Sequence, residues 1–121
     1  MTIHGTNILG SVIILVFKEA IFLSKFRILS GGKEHPNDIL PKFSEISYSP
    51  NEVTRALDLN QIRLDKSFNQ MGRTNENGSF NIAYDPGTEP QVKTIRVLIN
   101  QKSKYWLWIY DIYIEKAKRV F

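Results

Sequence analysis

The sequence predicts an α+β fold: one or two helices packed on a small antiparallel sheet, ending in a C-terminal β-hairpin. Three observations carry that expectation. Ser49-Pro50-Asn51-Glu52 has the residues of a helix start. Apolar residues then recur at helical spacing as far as Met71, and the last third of the chain carries strand-like runs, alternating at Phe80–Tyr84 and aromatic-rich at Tyr105–Ile114.

The first apolar segment, Ile8 to Leu29, reads as a helix. Ser11, Lys18 and Lys25 recur every seven residues and form one narrow polar stripe. Thr6 or Asn7 would cap its start, and Gly31 would stop it. The competing reading is a strand pair, Val12–Phe17 with Ile21–Leu29. It places Lys18-Glu19-Ala20 at the turn, where no residue accepts a positive φ. A membrane span fits poorly, because Lys18 and Glu19 would lie near the bilayer centre, each at a cost of roughly 2.5–3.5 kcal/mol.

In the second segment the Ser49 hydroxyl would accept from the Glu52 amide, and the Glu52 carboxylate would reach back to the Ser49 amide, as in a capping box. Proline suits the first helical position. Val53, Leu57, Leu64, Phe68 and Met71 would share one face, and Gly72 would end the helix.

The third segment reads as β. Phe80, Ile82 and Tyr84 alternate with Asn81 and Ala83, and Asp85-Pro86-Gly87 suits a type II turn. Val92–Asn100 follows, with Ile95, Val97 and Ile99 on one face and Thr94, Arg96 and Leu98 on the other. Gln101–Lys104 would connect it as a hairpin to the aromatic strand Tyr105–Ile114. With 121 residues and no internal repeat, residues 1–121 are expected to form one domain.

Chemistry is sparse. The chain has no cysteine, which excludes disulfides, thiolate nucleophiles and thiolate-held metals. His4 and His35 stand outside any triad-like pattern and read as solvent-exposed. The acidic residues are scattered singly, so no metal site and no cofactor is expected. Gly31-Gly32-Lys33 lacks the flanking residues of a phosphate loop and reads as a helix stop. A helix-turn-helix over Val53–Phe68 would lack both its turn glycine and basic charge. Asn77-Gly78-Ser79 matches the glycosylation sequon, but Asn-Gly is first a turn dipeptide. No positive region precedes the apolar run as in a secretory leader. The expected location is therefore intracellular, or within a viral or other macromolecular assembly.

The function expected from these residues is non-enzymatic: a protein-binding or assembly protein acting by self-association, as a small subunit or as an inhibitor. The aromatic strand motivates it, since an antiparallel strand with one solvated face should alternate, and this one has only Asp111 as a charge among ten residues. Tyr105, Trp106, Trp108, Tyr110 and Tyr113 are the candidate partner-binding residues. The alternative is nucleic-acid binding. The net charge is +4, and Lys102, Lys104, Lys116, Lys118 and Arg119 flank the same strand, as a base-stacking site would need. Expected partners are a protein or further copies of this chain, with nucleic acid as the alternative and a membrane disfavoured. A viral or mobile-element source is the accompanying expectation.

Overall fold

The structure, a computed structural model, describes residues 2–3, 12–52, 59–99 and 107–118. These build a mostly β structure, not an α+β one: β1 (Thr2–Ile3), β2 (Val12–Ser30), β3 (Glu45–Ser49), β4 (Asn69–Arg73), β5 (Phe80–Ala83), β6 (Gln91–Leu98) and β7 (Leu107–Lys116). Helix α1 (Leu59–Leu64) has six residues. All pairings are antiparallel, in the order β1-β7-β2-β6-β3-β4, and β5 pairs with β2.

The predicted helix over 8–29 is wrong. Its described part, from Val12 on, is one 19-residue strand that serves two sheets. Val12–Val16 pairs with β6, and Leu23–Ser30 lies between β5 and β7. Between Val16 and Ile21 the register slips, five steps of β2 spanning two of β6. This irregularity carries Lys18-Glu19-Ala20 as exposed, still extended residues, so no turn residue is needed there. Beyond it Leu23, Phe26 and Ile28 are fully buried. The seven-residue stripe was misleading because Lys18 lies in the irregular stretch and Lys25 on a solvated sheet face. A strand whose two halves join different sheets loses simple alternation.

The capping box is also absent. Ser49 ends β3 and pairs with Thr94, and its hydroxyl accepts from the Asn51 amide at 3.1 Å, two residues on, as in a Ser/Thr turn. Residues 53–58 lie outside the described residues. Phe68 and Met71, predicted on the helix face, fall beyond α1, and Met71 belongs to β4. Cross-strand pairing of Ser49 and Met71's neighbours outweighs local helix signals here.

The C-terminal hairpin is overturned as well. β6 and β7 both flank β2 and do not pair with each other. The faces of β6 follow the alternation: Ile95, Val97 and Ile99 enter the core. The turn after β5 has Gly87 at φ 91° and a Thr88 amide donating to the Asp85 carbonyl at 2.9 Å, the pattern of a type II turn.

The core lies between the two halves of this bent, nearly closed sheet. Leu23, Phe26 and Ile28 meet Ile46, Val97, Leu107 and Ile109 there. The edges β4 and β5 approach each other where Gly72 faces Phe80: a Cβ on Gly72 would lie 2.6 Å from the Phe80 ring. Among the described residues no helix is long and apolar enough to cross a membrane.

Candidate functional site

A bulge in β7 decides which aromatic residues face outward. Leu29 pairs with Asp111 and Ser30 with Ile109, so Tyr110 is an extra residue. Side-chain alternation resets there. Leu107, Ile109 and Ile112 pack inward, and Tyr110 and Tyr113 are exposed. Strict alternation along the strand would put Leu107, Ile109, Asp111 and Tyr113 on one face, and the extra residue splits that set. Asp111 and Tyr113 are on the outer face with Arg27 of β2.

At the end of β2 the chain turns at Gly31 (φ 76°) and Gly32 (φ 100°), backbone angles that side chains rarely adopt. The loop 31–40 then folds back on β7. The Gly31 amide donates to the Trp108 carbonyl at 2.7 Å, and the Trp108 amide donates to the Asp38 carbonyl at 2.8 Å. Below the loop, buried Ser30 accepts from the Leu40 amide (2.7 Å) and donates to the Gly78 carbonyl (2.6 Å). Three segments are thus fixed at one hydroxyl.

This scaffold forms a cleft of about 410 Å³ lined by Gly31, Gly32, Lys33, Glu34, His35, Trp108 and Tyr110. The His35 and Trp108 rings stack, with centroids 4.4 Å apart and planes 22° from parallel. His35 Nδ1 donates to Asp38 Oδ2 at 3.1 Å, the carboxylate being able only to accept. Tyr110, 52% exposed, lies over Gly32, where a Cβ would come 3.2 Å from its ring. Glycine therefore leaves room for the phenol, and the cleft has fixed aromatic walls with charged groups among its lining. Such a lining suits a ligand with a flat apolar face and a periphery of hydroxyl groups.

A second groove of about 480 Å³ lies by the β2 irregularity, lined by residues that include Val16, Phe17, Ile21, Ile114 and Lys116. It is the larger and also carries Lys18 and Glu19, but among its described lining residues no rings stack and no side-chain pair like His35–Asp38 is formed. The smaller cleft is therefore the better site.

Of the candidate partner-binding residues, Trp108 and Tyr110 line the cleft, and Tyr113 stands further along β7. Tyr105 and Trp106 lie outside the described residues, as do Lys102, Lys104 and Arg119 of the basic set. Lys116 is exposed at the far end of β7, roughly 27 Å from Trp108 by strand rise, and exposed Lys118 lies two residues beyond it. The sequence reading missed His35, taken as solvent-exposed without a carboxylate neighbour. Asp38 is that neighbour, three residues on, and the intervening Pro36-Asn37 was the available turn signal. Gly31-Gly32 stops no helix; it turns the chain out of β2. Among the described residues no group of three or more His, Asp or Glu could hold a metal.

No family model matches the chain. It is 26% identical over 113 residues to an alpha-1,3-mannosyl-glycoprotein 4-beta-N-acetylglucosaminyltransferase A from Gallus gallus, covering 92% of this chain and 21% of that enzyme. The enzymes of the same name from Macaca fascicularis and Pongo abelii are each also 26% identical, over 116 and 114 residues, again with 21% of the enzyme covered. The chain spans about a fifth of the length of these relatives. It thus resembles a segment of a glycosyltransferase. These similarities point to a glycosyltransferase region and not to the viral or mobile-element protein expected from the sequence.

Proposed function

We propose that this chain is a non-catalytic glycan-binding domain whose site is the cleft between loop 31–40 and β7. One observation carries the reading: a stacked Trp108–His35 pair and the exposed Tyr110 ring line the same cleft as Lys33 and Glu34. A pyranose ring presents an apolar face of C–H groups and a periphery of hydroxyls. The aromatic faces take the first, and the charged side chains exchange hydrogen bonds with the second. The chemistry named in the relatives, N-acetylglucosaminyl transfer to a mannosyl-glycoprotein, agrees with a sugar ligand. We keep the expectation of a non-catalytic role: the aromatic rings of the cleft would position a sugar, and His35 and Asp38 would hold the cleft wall in place.

The test is titration of the folded domain with mannose and N-acetylglucosamine, followed by NMR. Binding with a Kd on the order of 1 mM is expected for so small a contact. Tyr110→Ala should weaken it about tenfold, the worth of one well-placed aromatic contact. Absence of binding to any sugar, or unchanged affinity in Tyr110→Ala, would overturn the assignment.

A further inference from the structure

We infer a second sugar subsite beside the cleft, on the outer face of the β5–β2–β7 sheet, so that the natural ligand is an oligosaccharide rather than a single sugar. The proposal rests on the reading of the cleft as a sugar site. Its basis is a row of side chains fixed by register. Arg27 pairs with Asn81 of β5 on one side and with Tyr113 of β7 on the other. Neighbouring strands lie about 4.8 Å apart, so the row spans roughly 10 Å.

Each member is accessible, and Arg27 and Tyr113 are also held by side-chain contacts. Arg27 donates from Nε (3.1 Å) and Nη2 (2.7 Å) to Asp111 Oδ2, which leaves its Nη1 donors outside that contact. The guanidinium carbon lies 5.3 Å from the centre of the Tyr113 ring. The Tyr113 hydroxyl donates to Glu115 Oε2 at 3.2 Å, and the residue is 43% exposed. Asn81 is exposed and supplies both a donor and an acceptor. An aromatic ring beside charged and hydrogen-bonding side chains gives a flat surface the same two kinds of contact that the cleft offers.

The bulge joins the two. By admitting Tyr110 as an extra residue it places Tyr110 and Asp111 together on the outer side of β7. From Tyr110 to Tyr113 the strand rises about 10 Å, a distance a disaccharide can bridge. A glycan with one sugar in the cleft would lay the next along β7, above Asp111 and Arg27. The second contact is then intramolecular and strengthens binding without further loss of translational freedom.

Isothermal titration of the whole chain with mannose, N-acetylglucosamine and the linear trimers of each tests the inference. The wild-type protein should bind one trimer at least about tenfold more tightly than its monomer. Tyr113→Ala and Arg27→Ala should abolish that gain and leave monomer affinity unchanged, whereas Tyr110→Ala should weaken monomer and trimer alike. Thermal unfolding of each variant checks that these surface changes leave the fold intact. Monomer binding with no gain for a trimer, or a gain that survives Tyr113→Ala, overturns the second subsite alone. Failure of the wild-type protein to bind any of the four sugars removes the cleft assignment and this inference together.

Discussion

Arg96→Ala is expected to lower the free energy of unfolding by about 3 kcal/mol, through lost charge-assisted hydrogen bonds and stranded buried acceptors. Arg96 belongs to the outer face of β6, where it is only 5% exposed. Its Nη1 donates to the carbonyls of Ile62 (2.7 Å) and Asp65 (2.8 Å), and its Nε donates to the Ser47 hydroxyl (3.1 Å). The guanidinium carbon lies 4.1 Å from the centre of the Phe68 ring. One side chain thus fastens the end of α1 and the following segment to the sheet. Burial lowers its pKa, and the charges of Glu45 and Asp65 oppose that shift. Arg96→Lys should recover little, because an ammonium cannot reproduce the planar fork or lie flat on Phe68. Urea unfolding of the three proteins measures the differences. Loss of less than about 1 kcal/mol in Arg96→Ala, within the range of an ordinary surface change, would show that the clamp is dispensable.

Acid should loosen the same corner to a smaller extent. The Asp65 pKa is lowered from 3.8, first by the Ser67 hydroxyl and then by the Ser67 amide, with a smaller contribution from Arg96. A carboxylate with a depressed pKa in the folded state stabilises above the unfolded value. That contribution fades as pH falls through the folded one. Because the Asp65 carboxylate makes its bond to Ser67 at the surface, where solvent screens it, the effect is confined to strongly acidic solution and is small.

Gly78→Ala should cost about 3 kcal/mol as well, combining a left-handed backbone with overpacking. Gly78 has φ 71°, and an added Cβ would lie 2.5 Å from Ser30 Oγ, 2.7 Å from Ile39 Cβ and 2.9 Å from the Leu40 amide nitrogen. Two of these three neighbours cannot yield cheaply, since one is backbone and the other a branched carbon next to it. The clash falls on the hydroxyl that ties β2, loop 31–40 and the turn after β4 together. Loop 31–40 should therefore shift, and sugar affinity at the cleft should fall along with stability. Denaturation paired with sugar titration tests both effects. A Gly78→Ala protein of native stability would contradict the packing described here. One destabilised but with unaltered sugar binding would separate the Ser30 junction from the cleft.

How much of this was legible in the sequence differs from element to element. The strand at 80–83, the turn at Asp85-Pro86-Gly87 and the faces of β6 followed from period-two alternation and turn chemistry, which depend on neighbouring residues only. The aromatic strand was also visible as a strand, but its faces were not. The bulge at Tyr110 exists because Ser30 and Leu29 must pair with Ile109 and Asp111 across more than seventy residues of chain, and no local pattern encodes that offset. The long β2 was misread for the same reason. Its halves alternate against two different sheets, so their sum imitates a helical stripe. Ser49-Pro50-Asn51-Glu52 shows the converse: the local signal for a helix start was present, and pairing of Ser49 with Thr94 displaced it. The site followed the same division. Trp108 and Tyr110 were recognisable as candidates by residue type. Their meeting with His35, Asp38 and Gly32 required the loop to fold back across β7. The sequence by itself determined composition, the short alternating strands, the turn glycines and the aromatic candidates, because these express preferences of neighbouring residues. Which strands became neighbours, which face each aromatic ring took and which charges met was decided only by the tertiary structure, because hydrogen-bond register and burial are properties of contacts between distant segments.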